Sequence, residues 1–311
     1  MSSWKGKSRG GVLGYKIFVF ILKYLGLRAA YLLLIFVSFY FVLFSTKSTK
    51  AIFVFFRKRL KKNLLKSAWG VYKTYYIFGQ ALIDRTAVLG GLGDKFTYDF
   101  DGEHFIKEIA EEGQGGVLIS AHAGNWSMAG NILGKNMPDK AKVNIVMMAD
   151  EHKKIQTFLD KTQSKQTANI IAINDDFSHV VAMGMALRNG ELLCMHGDRY
   201  MPGSETLIVD FFGEKVHLPS GPFQLTFRMK VPYTVVYAFK ESANHYHFYS
   251  TPPFRNPTSA QDAAQFFATS MEEKIRKYPY QWYNFYDFWA MPQQAELKQK
   301  GKTNKTEQVH G

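Results

Sequence analysis

The chain has one cysteine, Cys194, in 311 residues. That excludes an intrachain disulfide framework and any multi-cysteine zinc site, and fits a reducing compartment. Acidic residues are also scarce, 26 against 39 lysines and arginines, for a net charge of +13. Such an excess favours anionic lipid surfaces, nucleic acid or acidic ligands such as phosphopantetheine carriers. There is no internal repeat and no glycine-rich phosphate loop, and the basic residues follow no nucleic-acid motif, so a nucleic-acid partner is not expected. What is present is apolar: 46% hydrophobic and 15% aromatic residues can supply a large core and exclude a disordered chain.

The longest apolar run lies near the start. Residues 29–44 read AAYLLLIFVSFYFVLF, with a shorter patch at 17–22. A run of about sixteen residues falls slightly below the about 17–25 of a clean membrane span. Arg28 precedes it, Lys47, Lys50, Arg57, Lys58 and Arg59 follow, and Lys5, Lys7 and Arg9 form a further basic cluster. An embedded or spanning helix fits best. A cleaved signal fits less well, because no small-residue cleavage site follows, and a core helix of a soluble protein is the other alternative. Positive charge on both flanks gives no orientation, and a shallow or re-entrant hairpin would leave both flanks on the cytoplasmic side. Residues 1–56 are thus expected to be a membrane anchor facing an anionic surface. Residues 57–92, where Trp69, Tyr72, Tyr75 and Tyr76 alternate with Lys61, Lys62, Lys66 and Lys73, are expected to be an amphipathic helical segment, either at the membrane interface or packed on the following domain. The glycines at 90, 91 and 93 mark the start of a domain over 93–294, and the polar tail 295–311 is expected to be disordered.

Within that domain strand-like and helix-like stretches alternate. Strands are predicted at 116–121, 142–148, 169–173, 191–197, 206–212, 232–239 and 245–250, and helices at 105–112, 151–162 and 177–189. This order predicts an α/β fold with a central mixed, largely parallel sheet. The most informative stretch is residues 116–129, GVLISAHAGNWSMA, in which a short β-branched run ends abruptly at His122. Such strand ends are where open α/β sheets place their chemistry.

Four blocks then resemble one family: HAGNWSMAG, the pair Asp198-Arg199, VDFFGEKVHLPSGPFQLTFRMKVPYTVV and YPYQWYNFYDFW. Their order and spacing are similar to those of the bacterial lipid A biosynthesis (lauroyl/myristoyl) acyltransferases and the related phosphatidylinositol mannoside acyltransferases, within the lysophospholipid acyltransferase superfamily. The resemblance implies an α/β/α acyltransferase fold with an N-terminal membrane-associated segment. It also implies an enzyme that moves an acyl chain from an acyl carrier protein or coenzyme A thioester to a membrane lipid, with no cofactor, at the cytoplasmic side of the bacterial inner membrane. The acceptor would be a lipid A precursor, a glycolipid or an amino-acid lipid.

A lipid hydroxyl attacks a thioester poorly unless a base takes its proton, and His122 is the best-placed candidate. The family motif carries an acid five residues after this histidine, whereas here that position is Ser127, which cannot supply charge. The mycobacterial members carry an acidic-Arg pair after a later strand, which points to Asp198 as the partner of His122 and to Arg199 near the donor phosphate or the developing oxyanion. By the same resemblance Asn125 and Trp126 shape the loop, with the Asn125 amide as an acceptor-binding group. Gly221 and Pro222 turn the chain near the pocket, and Ser220 and Arg228 are candidate ligand contacts. Ser127 is also a conceivable nucleophile, though its spacing from His122 establishes no geometry. A purely binding or scaffolding homologue is the alternative. His196, two residues before Asp198 on one strand face, lacks a convincing ligand set, so no metal is expected. His217 is read as a surface loop residue, Cys194 as an inert buried thiol, and the aromatics at 282–289 as packing or interface anchors.

Overall fold

The computed structural model describes residues 17–290 apart from 19, 23, 127, 129–141, 149–168, 175, 177 and 202. Three helices precede the strands, α1 (Gly26–Phe44), α2 (Thr46–Val54) and α3 (Leu64–Ala87), after further helical residues between 17 and 24. Asn63 caps α3 by accepting a hydrogen bond from the Lys66 backbone N–H at 2.9 Å, satisfying one of the donors that a helix start leaves unpaired. α1 returns antiparallel along α3. Leu34 packs where a Cβ on Gly79 would lie 2.3 Å from it, so the glycine is what lets the helices approach.

The strands are β1 (Thr97–Asp101), β2 (Gly116–Ser120), β3 (Val143–Met148), β4 (Asn169–Ile173), β5 (Leu192–His196), β6 (Thr206–Phe211), β7 (Glu214–Pro219), β8 (Tyr233–Lys240) and β9 (His245–Ser250). Seven of them form one sheet in the order β1-β9-β8-β2-β5-β3-β4. All pairings are parallel except β8 with β9. The expected α/β class with a mixed, largely parallel sheet is what the chain adopts. Among the described residues, the helices over the sheet are α4 (Glu103–Glu112), α5 (Ser178–Arg188), α6 (Gly221–Met229) and α7 (Ala260–Lys277).

β2 sits centrally, between β8 and β5, and its apolar run is buried throughout because both faces are covered. Leu118 points to one face, into a cluster with Ile106 and Ile109 of α4. Val117 and Ile119 point to the other, into the main core with Phe223 of α6 and Phe267 of α7. The period-2 alternation of a strand thus produces the α/β/α layering. α7 begins at Ser259, whose side chain accepts from the Asp262 N–H, and buries the stripe Ala263, Ala264, Phe267, Met271 and Ile275.

Three differences from the sequence expectations stand out. The strand predicted at 206–212 is β6, but it stands outside the main sheet, in a separate antiparallel hairpin with the unpredicted β7, because Phe212 and Gly213 both take positive φ (52° and 76°) as a two-residue turn requires. His217 accordingly lies on β7, half-buried with Nδ1 2.9 Å from Thr206 Oγ1, and not in a surface loop. Edge strand β1 and helices α6 and α7 were not anticipated. Residues 57–92 supply α3, whose Val71 and Tyr75 join the same core cluster as Val117 and Trp282. The expected helix at 151–162 and the tail 295–311 lie outside the described residues.

Candidate active site

β2 and β5 run parallel and in register, Ser120 opposite His196, and the Gly197 N–H donates to the Ser120 carbonyl at 2.9 Å. Two residues further on, both strands open into loops at the carboxyl edge of the sheet. His122 and Asp198 therefore emerge side by side. The Asp198 carboxylate takes two hydrogen bonds from one residue. Its Oδ1 lies 2.8 Å from His122 Nδ1, and its Oδ2 accepts the His122 backbone N–H at 2.9 Å.

Asp198 is buried, with 1% of its surface exposed. Burial alone would push its carboxyl up. Attraction to His122, its hydrogen bonds and the charge of Arg199 outweigh that and hold it well below the usual carboxylate range. An ionised Asp198 accepts the Nδ1–H proton, which leaves the lone pair of His122 on Nε2. The His122 side chain keeps 23% exposure, so it is not sealed in the interior as Asp198 is.

The loop carrying His122 is fixed mostly by backbone. The His122 carbonyl accepts the Tyr283 N–H at 2.9 Å, the Gly124 N–H donates to the Gln281 carbonyl at 2.8 Å, and the Asn125 N–H donates to the Ala238 carbonyl at 2.7 Å. Gly124 has φ +68°, and a Cβ there would stand 2.1 Å from the Ala238 carbonyl oxygen. Gly124→Ala should therefore shift the loop and lower turnover about 100-fold, the cost of displacing a reacting group by about 1 Å, measured as initial rate per folded enzyme.

Asn125 is placed differently from its expected role. Its side-chain NH2 donates to the Ala81 carbonyl of α3 at 3.0 Å and to the Tyr246 hydroxyl at 3.2 Å, so the amide faces the interior and ties the loop to α3 and β9. Trp126 is half-buried, edge-on to the His196 ring with centroids 4.7 Å apart. Ser127 lies outside the described residues. Arg199 follows Asp198 directly and donates from Nη2 to the Tyr283 carbonyl at 2.8 Å. Tyr283 thus braces both His122 and Arg199 through its main chain, which no side-chain pattern could have revealed.

Ser220 follows β7 and is buried, with its hydroxyl 3.1 Å from Glu205 Oε2. Gly221 and Pro222 begin α6, proline occupying a first-turn position where its missing N–H costs nothing. α6 reaches the site through Phe223, which would lie 3.1 Å from a Cβ on Gly197, next to Asp198. Arg228 stands exposed in the last turn of α6.

The structure adds His196 to the group. Its ring centroid lies 4.3 Å from that of His122, and its Nδ1 is 2.9 Å from Ser120 Oγ. Burial, helped by the nearby charge of His122, pushes it down to about 3, so it stays neutral. Ser120 and His196 look like a nucleophile and base, but so weak a base cannot activate a hydroxyl. His122, His196 and Asp198 bring ligand-type atoms within 4.8 Å of one another. Both Nδ1 atoms are already engaged, with Asp198 and Ser120, so the group is satisfied as a hydrogen-bond network. Burial pushes the Cys194 thiol of β5 up to about 12, which leaves it an inert thiol.

Residues 91–290 match the family model described as bacterial lipid A biosynthesis acyltransferase, and the chain belongs to that family. The match spans β1 to the aromatic segment and so includes every residue of the site described above. Comparison with curated proteins found no match.

Proposed function

Given membership of the lipid A biosynthesis acyltransferase family, we propose that this protein carries a fatty acyl chain from a thioester of acyl carrier protein or coenzyme A to a hydroxyl or amine of a membrane lipid, with His122 as general base. The observation that carries this reading is the two-point contact between Asp198 and His122 at the ends of adjacent parallel strands. The acceptor oxygen or nitrogen attacks the thioester carbonyl carbon while His122 Nε2 takes its proton. The tetrahedral centre then collapses, the C–S bond breaks, and the departing sulfur recovers the proton from the imidazolium. Asp198 holds the tautomer and stabilises the imidazolium. Arg199 supplies positive charge for the oxyanion or the donor phosphate. The attack is direct: Ser120 faces a histidine too acidic to serve as base, which supports a mechanism without an acyl-enzyme. Asn125 is a positioning residue of the loop, Trp126 lines it, and Ser220, Gly221 and Arg228 are candidates for contact with the donor or acceptor.

The ionised partner of His122 supports an active enzyme over a lapsed lipid-binding or scaffolding homologue. The site would work at the cytoplasmic side of the inner membrane, where thioester donors are found. The test is comparative lipid mass spectrometry of the native host lacking the gene, complemented with wild type or with His122→Ala. The expected result is loss of one acylated lipid and build-up of its precursor, restored by wild type alone. Restoration by a well-expressed His122→Ala protein would remove the base from the mechanism and favour scaffolding.

A further inference from the structure

α1 is 19 residues long and apolar enough to cross a membrane. At 1.5 Å per residue it is about 28 Å long, close to the about 30 Å hydrocarbon thickness. Its packing argues against crossing. Along its length it is held by α3: Tyr31 donates a hydrogen bond to Asp84, Leu34 lies over Gly79, and the Phe39 and Tyr72 rings are 4.5 Å apart. α3 bears Lys66, Lys73, Asp84 and Arg85, and its other side is built into the catalytic core through Val71 and Tyr75. Near the start of α1 the pair is also fastened to the sheet, since Lys240 of β8 forms an ion pair with Asp84 and hydrogen-bonds Tyr31 at 3.0 Å. A spanning α1 would draw these charges and the sheet edge into hydrocarbon, where each charged group is costly.

α1 exposes Leu32, Phe36, Phe39 and Leu43, spaced three and four residues apart as one helical stripe, with Phe39 at its border against Tyr72 of α3. Leu65 and Trp69 of α3 extend it at the end where α1 finishes. Cations stand at both ends: exposed Arg28 in the first turn of α1, and exposed Lys47, Lys50 and Lys66 near its finish. An apolar stripe bordered by lysines and an exposed tryptophan has the chemistry of an anionic bilayer surface, with acyl chains against the stripe and headgroups against the cations.

We infer that α1 does not span the membrane but lies in its plane, seating the catalytic domain on an anionic bilayer through the Leu32–Phe36–Phe39–Leu43 stripe, with both ends of the helix on one side. The inference rests on the membrane attachment proposed above and adds its geometry. It places the sheet edge with His122 at a fixed height over the lipid surface, because α3 connects α1 to the His122 loop through the Asn125 contact with Ala81.

The experiment is site-directed spin labelling of the full chain bound to phosphatidylglycerol-containing vesicles. Single cysteines replace Leu32, Phe36, Phe39 or Leu43 on a Cys194→Ser background, with depth read from oxygen against nickel-chelate collision. An in-plane helix puts all four labels in the acyl layer at one depth within about 5 Å, whereas a spanning helix spreads positions 32 to 43 over about 16 Å. The expected result is the uniform depth, with vesicle binding falling about fivefold in Lys50→Gln or Lys66→Gln and on replacing phosphatidylglycerol by phosphatidylcholine. A spread of about 16 Å overturns the in-plane geometry and leaves membrane attachment intact. Labels in water overturn the attachment itself, and labels shielded from both reagents overturn it in favour of a second copy covering the stripe. None of these outcomes bears on whether His122 is the base.

Discussion

Asp198→Asn should lower kcat about 10⁴-fold with little change in KM, the scale seen when the buried partner of a catalytic histidine loses its charge. The reason lies in the two contacts. One oxygen of Asp198 accepts Nδ1–H and the other accepts the backbone N–H of the same residue, so both partners are donors. An asparagine has one acceptor and one NH2. If the oxygen stays on Nδ1, the NH2 meets the backbone N–H and the loop must move. If the amide turns over, its NH2 donates to Nδ1, the proton shifts to Nε2, and the base is gone. Either way about 5 kcal/mol of transition-state stabilisation disappears. Acyl transfer in a purified system, with a melting curve to show that the variant folds, checks this. Turnover within tenfold of wild type would remove Asp198 from the mechanism.

Asp84→Ala should cost about 3–5 kcal/mol of stability, the usual penalty for removing one partner of a buried ion pair. Asp84 is fully buried and accepts from Lys240, Tyr31 and Tyr246. Burial pushes its carboxyl up and the Lys240 ammonium down, each towards neutrality, and their mutual attraction, joined at Asp84 by the hydrogen bonds from Lys240, Tyr246 and Tyr31, opposes this. Alanine would leave the ammonium beside the Tyr31 and Tyr246 rings with no counter-charge. Lys240→Ala strands the carboxylate in the same way. The double variant should lose less than the sum of the two, with a coupling of about 0.5–3 kcal/mol. Thermal or denaturant unfolding in detergent reads this, and strict additivity would mean that the two charges do not stabilise each other. Because the Tyr246 hydroxyl also accepts from Asn125, the damage should reach the His122 loop, and the Asp84→Ala protein that still folds should turn over more slowly.

Much of the fold was legible because its signals are local. The buried run at 117–119 and the α/β alternation follow from patterns a few residues long. α7 has such a signal as well, Ser259 followed three residues later by Asp262 and then an apolar stripe through Ile275, but the polar residues between dilute it. β1 carries little signal because it is a mostly exposed edge strand, recognisable only from its pairing with β9. β7 ends in Pro219 and reads as a loop until the positive-φ turn at 212–213 is known.

The site divides along the same line. His122 could be nominated from residue type and a strand end, the family from the order of four blocks, and Asp198 and Arg199 from what that resemblance implies. By itself the sequence determined the α/β class, the apolar start and a histidine at a strand end, since hydrophobic periodicity is written in neighbouring residues. Tertiary structure alone decided that Asp198 meets His122, that Asn125 turns inward to Ala81 and Tyr246, that His196 is held neutral beside them, and that α1 is clamped along α3. Those outcomes depend on which strands pair and how closely distant segments approach, and burial then sets each charge, none of which a local pattern encodes.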